Sequence, residues 1–96
     1  MRKVIGHANR VETFEATSEE VIEGILNGDL YCYKTICGCW LYVKMYVGGG
    51  NKTEIKCLSV PSFSIYYNSD FSIRETMQNR INEGTIYKID SIKELL

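Results

Sequence analysis

Four cysteines, one histidine and a run of three glycines are the residues of this chain whose types could carry chemistry. Cys32, Cys37, Cys39 and Cys57 follow the spacing Cys-x4-Cys-x-Cys-x17-Cys. Closed zinc sites draw instead on paired knuckles with two to four residues between their cysteines. Cys32 and Cys57 also fall in strand-like sequence, where a thiol packs as a small hydrophobe. The cysteines are therefore expected to be reduced and metal-free, as suits a reducing compartment. A nucleophilic thiol needs a base beside it. His7 is remote in sequence from every cysteine and, close to the N-terminus, is expected to be solvated. Glu19 and Glu20 fit the first turn of a helix, where the helix dipole favours acidic side chains. Glu12 and Glu15 have no fixed relation to another titratable group. Gly48-Gly49-Gly50 is followed by Asn51-Lys52-Thr53 and then a strand, so it lacks the Lys-Ser/Thr and the helix that a phosphate-binding loop requires. No catalytic set, cofactor or metal is expected, and the chain is read as a non-enzyme.

The aromatic residues are more informative. Between Cys39 and Val47 the even positions are Trp40, Tyr42, Lys44 and Tyr46, and the odd ones Leu41, Val43, Met45 and Val47. A strand exposed on one side should have one polar face; this one has an aliphatic face and an aromatic face. Either both are buried, one under each helix of the domain, or the aromatic face meets another molecule. Trp, Tyr and Arg dominate binding hot spots. Trp40, Tyr42, Lys44 and Tyr46 are accordingly taken as a candidate binding set, together with Arg74, Gln78 and Arg80 on the following helix. Arg74 and Gln78 stand four apart and so share a helical surface.

The elements that must position these residues are signalled locally. Thr17-Ser18-Glu19-Glu20, Ser72-Ile73-Arg74-Glu75 and Ser91-Ile92-Lys93-Glu94 each place a Glu three residues after a hydroxyl, as in a capping box. The first predicts a helix over 18–27 that stops at Gly28, and the second a helix over 71–83 that stops at Gly84. The third predicts a short C-terminal turn. Strands are predicted over 30–34, 39–47, 53–60 and 63–67, with Val4-Ile5 and Val11 to Phe14 as further candidates. Residues 39–47 and 53–60 are expected to form a hairpin in which Val47 faces Thr53, Met45 faces Ile55, Val43 faces Cys57 and Leu41 faces Ser59. That register gathers the aliphatic side chains on one face. Residues 25–31 and 81–87 repeat a helix end, a glycine and a strand start. The fold class is α+β, a small, mostly antiparallel sheet of three to five strands with two packed helices, in one domain spanning residues 1–96.

Composition bounds the function. With 45% hydrophobic and 24% charged residues the chain is an ordinary globular sequence. Its net charge of −1 lacks the basic excess that phosphate neutralisation needs, so duplex nucleic acid is not expected as a partner. No apolar run reaches the ~20 residues of a membrane helix, and the start Met-Arg-Lys-Val-Ile-Gly-His lacks the apolar stretch of a signal peptide. A cytoplasmic location is expected. Abundant Ile, Lys, Asn, Tyr and Phe with scarce Ala and Pro point to A/T-rich coding. The resulting expectation is a small binding protein, self-associating as a homodimer or larger oligomer, encoded by a phage or mobile element and neutralising a host defence component. The alternatives are a nucleotide or small-ligand sponge, stacking a base on Trp40, Tyr42 or Tyr46 and meeting phosphates with Lys44, Arg74 or Arg80, and a small thiol enzyme.

Overall fold

The computed structural model describes residues 4–47, 52–66 and 70–95. In chain order the strands β1 (Val4–His7) and β2 (Arg10–Glu15) precede helix α1 (Ser18–Leu26). Strands β3 (Leu30–Thr35), β4 (Gly38–Val47), β5 (Lys52–Val60) and β6 (Ile65–Tyr66) follow, then helix α2 (Asp70–Glu83) and β7 (Ile86–Ile89). A 3-10 helix, Ile92–Leu95, comes last. Glycines 48–50, Asn51 and Tyr67 lie outside the described residues.

Both helices begin and end for identifiable reasons. Thr17 is the N-cap of α1, its hydroxyl accepting from the Glu20 amide at 3.3 Å and donating to the Glu20 carboxylate at 3.1 Å. Gly28 and Gly84 take φ of 104° and 73°, a left-handed conformation that favours glycine. Each closes the same double hydrogen bond. Asp29 and Thr85 donate to carbonyls five residues back, and Gly28 and Gly84 to carbonyls three back. The repeated grammar of residues 25–31 and 81–87 is therefore two helix stops of one kind, and the strands they launch, β3 and β7, lie side by side. Ser72 is the third residue of α2, inside the helix and not at the N-cap position that its spacing to Glu75 predicted. In the third box Glu94 does reach back, accepting from the Ser91 amide at 2.9 Å.

The sheet is larger than the three to five strands expected. Its order is β2-β1-β7-β3-β4-β5-β6, and β6 is only two residues long. Every pairing is antiparallel except β1 with β7, so the sheet is mixed. Both N-terminal candidates are strands, and β7 enters between β1 and β3.

The β4–β5 register differs by one residue from the expected one. Tyr42 faces Cys57, Lys44 faces Ile55 and Leu41 faces Leu58, while Val43 and Met45 face Lys56 and Glu54. Because strand side chains alternate, this single step places Ile55 and Cys57 on the aromatic side of β4 and Leu58 and Val60 on the aliphatic side. Both helices pack on the aromatic side, not one on each face. Val21 and Ile25 of α1 and Ile73, Met77 and Ile81 of α2 share a core with Tyr42, Ile55 and Cys57. Neither α1 nor α2 packs on the other face. There Cys32, Leu41 and Ile89 are buried under a partial cover that includes Phe63 and Leu95. Among the described residues no helix is long and apolar enough to cross a membrane.

Met77 is fully buried at the centre of the α2 stripe. Met77→Ala should cost about 2–5 kcal/mol. Thr17→Ala should cost about 0.5–2 kcal/mol through the lost cap, with no comparable cap loss in Ser72→Ala. Denaturant midpoints of the three variants check this ranking.

Candidate functional site

Strand alternation places Trp40 and Tyr42 of β4 on the helix-facing side, opposite Tyr33 and Tyr31 of β3. The Tyr33 and Trp40 rings stack with centroids 5.2 Å apart and planes 26° apart. Arg80 descends from the last turn of α2 onto this group. Its guanidinium carbon lies 3.7 Å from the Tyr33 centroid and 5.8 Å from that of Tyr42, within cation–π range. Its Nη1 donates to the Tyr42 hydroxyl. Loss of water pushes the Tyr42 phenol up to about 12, the positive charge of Arg80 opposing this only in part. Burial likewise raises the Cys57 thiol, against the pull of Arg80.

Three of the residues predicted as a binding set, Trp40, Tyr42 and Arg80, are thus brought together, as a packed clamp between α2 and the sheet. Tyr42 is 1% exposed, so it acts by holding Arg80. Tyr33, the ring on which both Trp40 and Arg80 rest, was not among the candidates. Its signal was the alternation Tyr31-Cys32-Tyr33, which matches that of Trp40 and Tyr42 one strand away.

Of the remaining candidates, Arg74 lines a cleft elsewhere. Ile22 and Leu26 of α1, Ile73 and Arg74 at the start of α2, and Thr53, Glu54 and Ile55 of β5 line a cavity of about 180 Å³. Cross-strand pairing sets Tyr46 beside Thr53 and Lys44 beside Ile55 on the cleft side of β4. Lys44 is exposed, and Tyr46 and Leu26 are 74% and 41% exposed. Arg74 pairs with Glu19 at 2.8 Å, both side chains more than half exposed, so the pair contributes little to stability. Gln78 accepts from the Ser18 amide at 3.3 Å and donates to Asn82 at 3.1 Å, which ties α2 to the start of α1. Leu26 and Ile22 were not among the candidates. The signal that could have found them is width: Val21, Ile22, Ile25 and Leu26 make a stripe too broad for a nine-residue helix to bury whole.

The sheet separates the cysteines. Cys57 lies on the helix side, and Cys32 and Cys39 on the other; Cys37 is exposed at the β3–β4 turn. Desolvation and the neighbouring Cys39 push the Cys32 thiol up to about 12, away from nucleophilic character. His7 is not solvated: its side chain is 7% exposed and lies against Asp90. Compared with family models, curated proteins and solved structures, the chain matches none.

The Tyr42 phenol has its pKa raised from 10.0 to about 12 in the fold. Its contribution to stability is therefore intact below pH 10 and is lost as pH climbs through the folded value. The expected loss is on the order of 2 kcal/mol. Tyr42→Phe should flatten this alkaline slope without abolishing it, since Cys32 also titrates high. Urea midpoints measured across the alkaline range check this, and equal slopes would refute it.

Proposed function

We propose that this chain is a non-enzymatic binding protein that holds an apolar anchor side chain of a partner protein in the cleft between α1, the start of α2 and the β4–β5 hairpin. The observation that carries this is the union of an apolar floor, Ile22, Ile55 and Ile73, with exposed Leu26 and Arg74 in its wall and exposed Lys44 and Tyr46 on the neighbouring strand, across from Ile55 and Thr53. Hot spots have this build, an aromatic or arginine beside a pocket that excludes water.

Size separates this reading from the nucleotide sponge. Small-molecule sites run to about 300–1,000 Å³, whereas this cleft measures about 180 Å³, room for an anchor side chain and too little for a nucleotide. Of the residues a sponge could use, Trp40, Tyr42 and Arg80 are already engaged in the clamp with Tyr33, which leaves Tyr46, Lys44 and Arg74. A/T-rich coding composition supports a host component, met by a phage or mobile-element protein, as the partner. On the face of the sheet opposite α1 and α2, the partly buried Val43, Val60 and Tyr87 support self-association as well.

A photo-crosslinking residue placed at Tyr46 should capture a partner that the same residue at Ile36, on the far β3–β4 turn, does not. Leu26→Gln and Tyr46→Ser should each weaken that complex by roughly 30-fold, the effect of losing about 2 kcal/mol at a hot spot. Equal capture from both positions, or full affinity in both variants, would refute the cleft. Sedimentation at tens of micromolar should show a dimer or larger species; a clean 11.0 kDa monomer would refute self-association.

A further inference from the structure

His7 ends β1 opposite Lys88 of β7, and this pairing carries its imidazole to Asp90 just beyond that strand. The side chain is more than nine-tenths buried, its Nε2 is 3.4 Å from Asp90 Oδ1, and its Nδ1 is buried with no hydrogen-bond partner. Neither tautomer satisfies this ring among the described residues. With the proton on Nδ1, that donor has no acceptor and the Nε2 lone pair faces a carboxylate oxygen. With it on Nε2, a lone pair is buried at Nδ1 and the bond to Asp90 exceeds the usual 2.7–3.2 Å. A cation shared by Nε2 and Asp90 Oδ1 relieves the Nε2 side, the proton then staying on Nδ1.

A separation of 3.4 Å suits two ligands of one metal ion. Bonds of 2.0–2.1 Å in a tetrahedral shell place neighbouring ligand atoms about 3.3–3.4 Å apart. A third ligand stands close by, since His7, Asp90 and Glu94 each offer an atom within 4.8 Å of the other two. Both carboxylates are held from behind. Arg10 donates to Asp90 Oδ2 at 2.7 Å, leaving Oδ1 toward His7. Asn9 donates to Glu94 Oε1 at 2.6 Å, and the amides of Asp90 and Ser91 donate to Oε2. These bonds, the Ser91 amide foremost, lower the pKa of Glu94 and keep it ionised. Outer hydrogen bonds of this kind orient metal ligands. Two carboxylates against the one Arg10 guanidinium leave a net negative charge before any cation arrives. Asp90 is 54% exposed, which gives an ion a path in and a water a place to bind.

We propose that His7, Asp90 and Glu94 bind one Zn2+ ion with water as the fourth ligand, Oε1 of Glu94 turning toward the ion while Oε2 keeps its bonds from the Asp90 and Ser91 amides. One imidazole nitrogen among the donors selects zinc over magnesium and calcium, which prefer oxygen alone. The expected absence of a metal rested on the cysteines, and none of them takes part. The bound ion would clamp the β1–β2 turn to the C-terminal 3-10 helix across the parallel strand pair.

The test is a titration of the full chain with Zn2+ under reducing conditions, followed by calorimetry and by the NMR signals of the imidazole. His7 is the sole histidine, so those signals have one source. The expected result is saturable binding of one ion with movement of the His7 ring resonances, weakened at least tenfold in Asp90→Asn. Asp90 is exposed, so that variant should keep the fold, and the same spectra verify it. Co2+ should bind without the near-ultraviolet charge-transfer band of a thiolate ligand, and Mg2+ should leave the ring signals unmoved. Unmoved His7 signals at saturating Zn2+, undiminished binding in Asp90→Asn, or binding abolished by Cys37→Ser would each overturn the proposal.

Discussion

Arg80 donates to the Tyr42 hydroxyl while its guanidinium carbon lies 3.7 Å from the centre of the Tyr33 ring. The rest of the packing follows from that contact. β4 offers apolar side chains on both faces, and two helices that pack against each other can cover only one. The aliphatic face has no polar group to satisfy, but Tyr42 is buried with a hydroxyl whose desolvation costs about 1–3 kcal/mol if left unpaired. Arg80 supplies the partner from α2 and contributes its own charge to the face of Tyr33. The helices therefore close over the aromatic side, where a polar handle meets a polar handle, and the plain hydrocarbon of Leu41 faces away from them.

That choice of face fixes what remains available for binding. The clamp occupies Trp40, Tyr33, Tyr42 and Arg80 with one another, so aromatic surface that looks abundant in the sequence is mostly interior in the fold. What stays outside is the end of the hairpin, where Lys44 and Tyr46 run beyond the clamp, and the end of α1, where Leu26 is only partly covered. A second apolar area lies on the face opposite α1 and α2, where Val43, Val60 and Tyr87 are only partly buried. The clamp and the exposed residues thus have separate physical duties. Changing Arg80 removes the donor to a buried hydroxyl and must disturb the fold. Changing Leu26 or Tyr46 touches surface that is already in water.

Local signals in the sequence proved reliable wherever a few neighbouring residues settle the outcome. Thr17 with Glu20 starts α1, and Gly28 and Gly84 stop the helices because the backbone there must turn left-handed. The β4–β5 register was not legible. β4 is apolar on both faces, so the usual penalty for a one-residue slip, exposing every hydrophobic side chain, was absent from the pattern. The sheet's full size was harder to read for another reason. Every residue of β2 is exposed, so its sequence shows no buried face and marks it only as a candidate, and β7 is legible only as a strand start after Gly84, because its place in the sheet depends on partners far away in the chain. The setting of His7 depends on contact with residues more than eighty positions away, which no local pattern encodes.

The candidate site was legible in composition but not in partition, and helix geometry explains why. Arg74, Gln78 and Arg80 fall on one helix, outside its buried Ile73–Met77–Ile81 stripe. At about 100° per residue, Arg74 and Gln78 differ by roughly 40° and share a side, whereas six residues rotate Arg80 by roughly 240° from Arg74 and move it about 9 Å along the axis. One arginine therefore flanks the stripe on the side of α1 and the cleft, while the other flanks it on the side of β3 and β4. A solvated helical arginine and an aromatic clamp have the same one-letter signature. What separates them is the partner on the other element: Glu19 on a neighbouring helix for Arg74, and a buried tyrosine hydroxyl for Arg80. Of the two, only Arg74 can be spent on a second molecule without leaving a polar group stranded in the core.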